Sequence, residues 1–435
     1  MTAAICRLGG VGVAGAVRTR IEDALFDTVQ KAGVRMYALR GETMARLLTP
    51  KGLADPYPVY DELRSQGELI VSERFKIYLA TTHALVSGLA RDPRLSVDNR
   101  LVEGYQVADL SEDAIQDHEM MLRMDDPDHA RIRRLVGAAF SPRAVASWRP
   151  MVEKLCHSLL DDVDPRGFDV VNDYAVPLTV KVICELMGVP GEDWRSFRQW
   201  GSDATASMGA MNSRANIRRS RDGMRALFDY FSELIERRRR SPGDDLLSVM
   251  IAAEEEGDRL SDRELVANSI LLLIAGFETT VNLVGNGTVA LLEHRDQWDR
   301  LRDDPELTTN AVEELLRFDS SVQFTSRNVR EATEIAGQSL GRGAQLILML
   351  GSANRDPAVF DGPARLDVGR DNARSHVSFS SGTHHCLGAN LARLEGDVAF
   401  RTLIGRFPEL QVAARPQRRP TDLMRGYERV PVRAG

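Results

Sequence analysis

The chain is poor in cysteine: Cys6, Cys156, Cys184 and Cys386 are its only four, with no C-x-x-C pair and no tight cluster. That scarcity excludes a disulfide scaffold and a four-sulfur zinc site, and it fits a reducing cytoplasm. Long apolar runs are also missing. The longest, Ile270 to Phe277, falls far short of the roughly 20 residues that a bilayer core demands, so no transmembrane anchor is expected. The apolar stretch from Leu8 to Val17 is broken by four glycines and lacks the charged start and cleavage pattern of a secretory signal. Positive charge is in deficit, 56 basic against 63 acidic side chains, which disfavours nucleic acid as a partner. No repeat and no Gly-, Ser- or Pro-rich linker divides the 435 residues. One large domain is therefore expected, although length alone suggests about three.

An early motif, Gly10-Val11-Gly12-Val13-Ala14-Gly15, matches the dinucleotide-binding pattern G-x-G-x-x-G. Ala3 to Leu8 could precede it as a strand, Val17 to Ala32 could follow as a helix, and Val34 to Leu39 could pass for a second strand. A dehydrogenase would need this unit inside a larger parallel sheet. Met44 to Leu63 instead reads as loop and helix, so an N-terminal arm is the better reading.

Beyond the arm, Pro58 to Arg64 reads as helix, Leu69 to Thr82 as β-rich, and Ser96 to Met121 as a long polar connection of the functional kind. The pattern is then helical to Phe318, strand-like from Val322 to Leu350, and a meander from Asn354 to Ser381 before a last helix and a short β tail. Arg237 to Arg240 close a helix just before Ser241-Pro242-Gly243, where cations complement the helix dipole.

The most informative segment is Phe379-Ser380-Ser381-Gly382-Thr383-His384-His385-Cys386-Leu387-Gly388. Leu387, Leu391, Leu394 and Val398 recur at helical spacing behind it, so Cys386 sits at a helix entrance. Free amides and the positive dipole end there lower a thiol's pKa and make it a metal ligand or a nucleophile. Gly382 and Gly388 let the backbone fold closely round the sulfur.

Four further patterns accompany it. Ser261-Asp262-Arg263-Glu264 is a capping box opening an apolar helix to about His294, with Ala275-Gly276-Phe277-Glu278-Thr279-Thr280 at its midpoint. A buried glycine, acid and hydroxyl there are costly unless used; the structural alternative is a kink with a threonine bonded back to a carbonyl. Glu314 and Arg317 share one helix face. Asp126-Pro127-Asp128-His129 starts a helix that presents His129 and Arg133 one turn apart, a pair suited to a carboxylate. Arg327 follows in Thr325-Ser326-Arg327.

Together, from Pro56 to the C-terminus, these segments resemble the cytochrome P450 family, whose loop signature is F-x-x-G-x-x-x-C-x-G with histidine or arginine two residues before the cysteine, here His384. The resemblance implies a mainly α fold with a smaller β-rich region: a single domain, residues 46–435, enclosing haem b, with residues 1–45 as an arm outside it. It implies Cys386 as the iron ligand in the loop of Phe379, Gly382 and Gly388, and His129, Arg133, His384 and Arg327 as propionate-binding groups. It further implies Ala275 and Gly276 as the oxygen groove, Glu278 and Thr279 as the catalytic proton-handling pair, and Glu314 with Arg317 as a core pair completed by Arg365. Departures are Ser380 in place of a frequent glycine, Leu366 in place of a frequent phenylalanine, and His385 beside the ligand.

The activity so implied is a monooxygenase that inserts one oxygen atom of O2 into a lipophilic small molecule, working as a cytoplasmic monomer. Too few residues follow Cys386 for a flavin or iron–sulfur domain, so a separate ferredoxin and ferredoxin reductase are implied, with Arg131 and Arg134 as docking candidates. Asn99 to Met121, Ile270 to Thr279, Val322 to Phe324 and Leu423 to Met424 are expected to line the substrate pocket. The alternatives are a peroxide-dependent haem-thiolate enzyme and a non-catalytic haem or gas-binding protein.

Overall fold

The computed structural model describes residues 27–103, 117–209, 213–255 and 258–435. The Gly10–Gly15 motif, Cys6 and residues 104–116 of the polar connection lie outside the described residues. Residues 34–39, the would-be second strand, are helical; short apolar runs do not distinguish the two states. Helix Thr43–Leu47 buries Met44 and Leu47 in one cluster with Val59, Tyr60 and Leu63.

Seven helices position the site: α1 Asp128–Gly137, α2 Val176–Leu186, α3 Trp194–Ala204, α4 Arg214–Arg240, α5 Asp262–Glu293, α6 Thr308–Phe318 and α7 Ala389–Arg406. A five-stranded sheet stands beside them, from β1 Leu69–Ser72, β2 Ile77–Ala80, β3 Leu95–Ser96, β4 Thr325–Val329 and β5 Gln345–Leu348, in the order β1-β2-β5-β4-β3. β5 runs parallel to β2 and antiparallel to β4, and this register sets Arg327 opposite Leu346.

The predicted capping box starts α5. Ser261 accepts from the Glu264 amide at 3.3 Å, and Glu264 accepts from the Ser261 amide at 2.8 Å. Thirty-two residues at 1.5 Å each carry it about 48 Å, the width of a domain. By length and composition it could cross a membrane, yet 78% of its apolar window is buried inside the protein. α7 packs so closely on it that a side chain at Gly287 would collide with Phe400, whose ring is fully buried. Burial of a ring of that size stabilises the fold by roughly 1.5–3 kcal/mol.

Cys156 and Cys184 are buried in the helical core, and burial pushes both thiols up to about 12. They are the inert fillers expected of cysteines without flanking pattern.

Candidate active site

The segment before α7 folds round Cys386 as a tight loop. Its amide donates to the Phe379 carbonyl at 2.9 Å, and the Gly388 amide donates to the sulfur. Gly382 has φ +74, and a side chain there would meet the Ala90 carbonyl at 2.7 Å, so this turn requires glycine. Gly388 is not under that constraint, since nothing lies within 4 Å of where its side chain would be; its part is the amide. Cys386 has accessible surface, yet burial pushes its thiol up while Gly388, Arg133 and Arg393 pull it down. A sulfur facing an internal space satisfies both observations, and one facing bulk water does not.

The Phe379 ring is clamped: the Arg393 guanidinium lies 4.7 Å above it, and the His376 ring is 5.6 Å away. Glu313 on α6 holds both clamps, accepting from Arg393 Nε at 2.8 Å and lying 3.0 Å from His376 Nε2.

Beside the loop, cationic groups converge. The rings of His129 and His384 stack at 4.0 Å. Burial, then His129, Arg327, Arg133 and Arg123, push His384 down to about 3. Arg327 is 4% exposed, and its Nη2 has no hydrogen-bond partner. Burial and Arg123 lower its pKa to about 10, against a smaller opposing pull from Asp125. Asp126 pairs with His129 at 3.3 Å, while Asp125 bonds Ser96, Val97 and Arg330. A buried guanidinium with a free donor costs on the order of 1–3 kcal/mol unless an anion meets it. The two carboxylates of a haem fit that demand. Arg133 is placed differently from its motif partner: its Nη2 donates to the His385 carbonyl at 2.6 Å and braces the cysteine loop. Arg123 joins the cluster unforeseen, because it sits in a segment with no periodic pattern. The α1 helix also starts one residue later than expected, the Pro127 carbonyl accepting from Arg131.

α5 is buried at every position from Leu265 to Leu291 except Ala275, Gly276 and Thr279. Three accessible residues on one stripe of a core helix mark an internal space over them. The Thr279 hydroxyl donates to the Ala275 carbonyl at 2.8 Å, the back-bonded arrangement expected of a mid-helix threonine. Its own carbonyl accepts from Ser321 Oγ at 2.7 Å, which brings Val322 and, through a β-bridge, Met424 alongside. Glu278 is buried and paired with Arg419 Nη1 at 3.0 Å, a partner that no local spacing announced.

The core pair needs one correction. Glu314 and Arg317 are both fully buried and joined at 2.7 and 2.8 Å. The guanidinium completing them belongs to Arg370, whose Nε lies 3.2 and 3.1 Å from the Glu314 oxygens. Arg365 points its side chain to solvent near Asp367 and contributes only its carbonyl, which accepts from Arg317 and Arg370. Arg131 bonds Glu264 in the first turn of α5 and so ties two helices together.

Residues 210–426 match the family model described as Cytochrome P450. The chain is 39% identical to "Putative cytochrome P450 140" of Mycobacterium tuberculosis over 91% of this chain and 93% of that protein. It is 42% identical to the "Vitamin D(3) 25-hydroxylase" of Pseudonocardia autotrophica over 88% and 94% of the two chains. Among solved structures, P450BioI in complex with a hexadec-9Z-enoic acid ligated acyl carrier protein superposes with a TM-score of 0.83 at 36% identity, covering 88% of this chain and 99% of that one. A cysteine loop closed by Phe379 and Gly382, a cluster of cationic groups beside it, and 39–42% identity to such proteins over about nine-tenths of the chain lead to one conclusion: the chain belongs to the cytochrome P450 family, the haem b monooxygenases that hold iron through a cysteine thiolate.

Proposed function

We propose that this protein inserts one oxygen atom of O2 into a lipophilic small molecule, with Cys386 as the haem's thiolate ligand and electrons delivered by a separate ferredoxin and its reductase. The observation that carries the proposal is the free donor on buried Arg327 beside the stacked His129 and His384, within one cluster with the loop that presents the Cys386 sulfur. A haem bound there supplies dioxygen activation, the thiolate's electron donation favouring O–O cleavage.

The chain's own residues supply the rest. Arg327, His129, His384 and Arg123 bind the two carboxylates, and Arg133 fixes the loop through His385. Thr279 Oγ1 lies on the open stripe of α5 and delivers a proton there, drawn through Glu278, whose carboxylate pairs with Arg419 at 3.0 Å. An acid and an alcohol in sequence favour O2 over peroxide as oxidant, because O2 chemistry consumes protons. Ala275, Val322, Leu423 and Met424 are partly accessible and almost wholly apolar, which supports a lipophilic substrate. Unpaired cysteines at three described positions accord with work in the cytoplasm.

The test is the absorption spectrum of the reduced carbon monoxide adduct. A strongly red-shifted Soret band is expected, and Cys386→Ser should abolish it while leaving the far-ultraviolet circular dichroism intact. A folded, haem-loaded protein without that band would refute the ligand assignment. Thr279→Ala should keep reductant consumption and divert it to peroxide; unchanged coupling would remove Thr279 from the proton path.

A further inference from the structure

Residues 27–39 are helical, and the two sides of that helix differ. Gln30, Val34 and Tyr37 are half-buried, whereas Val29, Ala32, Met36 and Leu39 are exposed. Spacings of three, four and three keep the exposed four within about 80° of one another round the helix. The β1–β2 turn is fixed beside it: the Arg74 guanidinium lies 4.6 Å over the Tyr37 ring, and Ser72 Oγ donates to Glu42 Oε1 at 2.8 Å just past the helix end. The turn adds Phe75 to the exposed apolar surface. Val29, Met36, Leu39 and Phe75 are four of the nine large apolar side chains most exposed among the described residues, so this exposure is gathered rather than scattered. A gathered apolar patch marks an interaction site.

Cations border the patch. Lys31 and Arg35 follow one edge of the helix, Arg40 stands at its end, and Arg74 and Lys76 lie on the turn; all five are exposed. Of the carboxylates on these segments, Glu73 is exposed, 3.9 Å from Lys76, while Asp27 and Glu42 are half-buried. An apolar stripe with cationic margins is the pattern of a helix lying in a bilayer interface, and each Lys or Arg near an anionic leaflet adds attraction. Two copies meeting through this face would set like charges against each other. Leu39 and Val29, 80% and 63% exposed, stand out from the surface and so enter a soft layer without a shape-matched groove. Behind them, a cavity is lined by Met44 and Leu47 of the next helix and by Phe324, two residues from Val322. It touches both the helix that follows the patch and the segment that leads to the substrate pocket, a route that suits a substrate dissolved in lipid.

We infer that residues 27–39 and the β1–β2 turn rest on the surface of an anionic lipid bilayer, with Val29, Met36, Leu39 and Phe75 inserted at the level of the headgroups. The contact lies on the membrane and does not span it. The substrate route rests on the monooxygenase reading above; the binding itself does not.

The experiment floats the haem-loaded full chain with vesicles of phosphatidylcholine containing about 30% phosphatidylglycerol. Saturable binding is expected, weaker on pure phosphatidylcholine and weaker as salt rises from about 50 to about 300 mM. M36D with L39D should reduce it more than tenfold, with the carbon monoxide spectrum unchanged. Arg35→Gln, a surface change that leaves the apolar stripe whole, should cost about fivefold on the anionic vesicles. No binding by the wild type, or binding indifferent to M36D with L39D, overturns the proposal. So does a wild-type dimer without vesicle binding that M36D with L39D turns into a monomer. A fluorescent label on Leu39→Cys, in a chain also carrying Cys6→Ser, should be quenched by iodide in buffer and shielded once vesicles are added. A label already shielded in buffer would give the face to the chain's own residues 1–26 and likewise overturn the proposal. The red-shifted carbon monoxide band reports on the haem-thiolate reading separately, so failure of one is distinguishable from failure of the other.

Discussion

Around Glu314 every charge has a partner inside the chain, whereas around Arg327 a donor is left over. Arg317 gives its protons to Glu314 and to the carbonyls of Asn354, Pro363 and Arg365, and Arg370 closes the carboxylate from the other side. Both side chains of the Glu314–Arg317 pair are fully buried, so the lost hydration of each ion is replaced by protein groups. Arg327 is nearly as buried but reaches only the Ser326 carbonyl, at 2.8 Å, with its Nη2 free. The difference separates charge that holds a fold from charge that awaits a ligand. Burial alone marks neither; the hydrogen-bond inventory does.

The sharpest way to break that comparison is to cut the satisfied cluster. Arg317→Met leaves Glu314 with only Arg370 and the Asp367 amide as partners and should cost about 3–5 kcal/mol, read as a shift in denaturation midpoint. Arg365→Ala should stay within about 0.5 kcal/mol, because its backbone carbonyl survives the change. An equal loss in both variants would mean that the side-chain assignment to Arg370 is wrong.

The second cluster should respond in the opposite sense. In the apoprotein, Arg327→Leu removes an unsatisfied buried charge and should leave stability unchanged or raise it by about 1 kcal/mol. Haem retention should fall about 10- to 100-fold, the worth of a charged hydrogen bond of about 1.5–3 kcal/mol, measured as the rate of haem transfer to a scavenging apoprotein. A variant that loses apoprotein stability without losing haem would place Arg327 with the structural charges.

Two buried glutamates carry the same contrast into pH. Burial alone would push Glu313 up, but His376 and Arg393 hold it down to about 2. Its folded value lies below its unfolded one, so its stabilisation is present above about pH 4.5 and is lost as pH falls toward 2. Burial pushes Glu395 up to about 8, and the Thr280 hydroxyl offsets only part of that. Its contribution is complete below about pH 4.5 and is lost as pH rises toward 8. Melting curves taken across that range should therefore lose their acid-side slope in Glu313→Gln and their alkaline-side slope in Glu395→Gln. Exchanged or absent effects would contradict the two environments.

What could be read from the sequence follows from how local each interaction is. The α5 helix was legible to within a residue, because a capping box and an apolar run lie in the helix's own sequence. The cysteine loop was legible for the same reason. The partner of Glu314 was not: Arg365 and Arg370 both lie in an irregular meander, and no period says which of them turns inward. Arg419 and Arg123 were hidden likewise, since their partners stand far off in sequence. Residues 34–39 could pass for a strand and are helical, because a short apolar run fits both states equally well.

The smallest effect concerns a departure from the family pattern that the backbone explains. Ser380 stands where glycine is frequent, and its φ is +58. A side chain costs about 1–2 kcal/mol in that left-handed region, partly offset by the extra chain entropy that glycine loses on folding. Ser380 Oγ is also buried without a partner. Ser380→Gly should therefore raise stability by about 0.5–1 kcal/mol, seen as a higher denaturation midpoint with an unchanged carbon monoxide spectrum. Ser380→Ala separates the two causes, because it removes the orphan hydroxyl and keeps the strained φ. If alanine gains as much as glycine, the hydroxyl and not the backbone is the source of strain beside the thiolate loop.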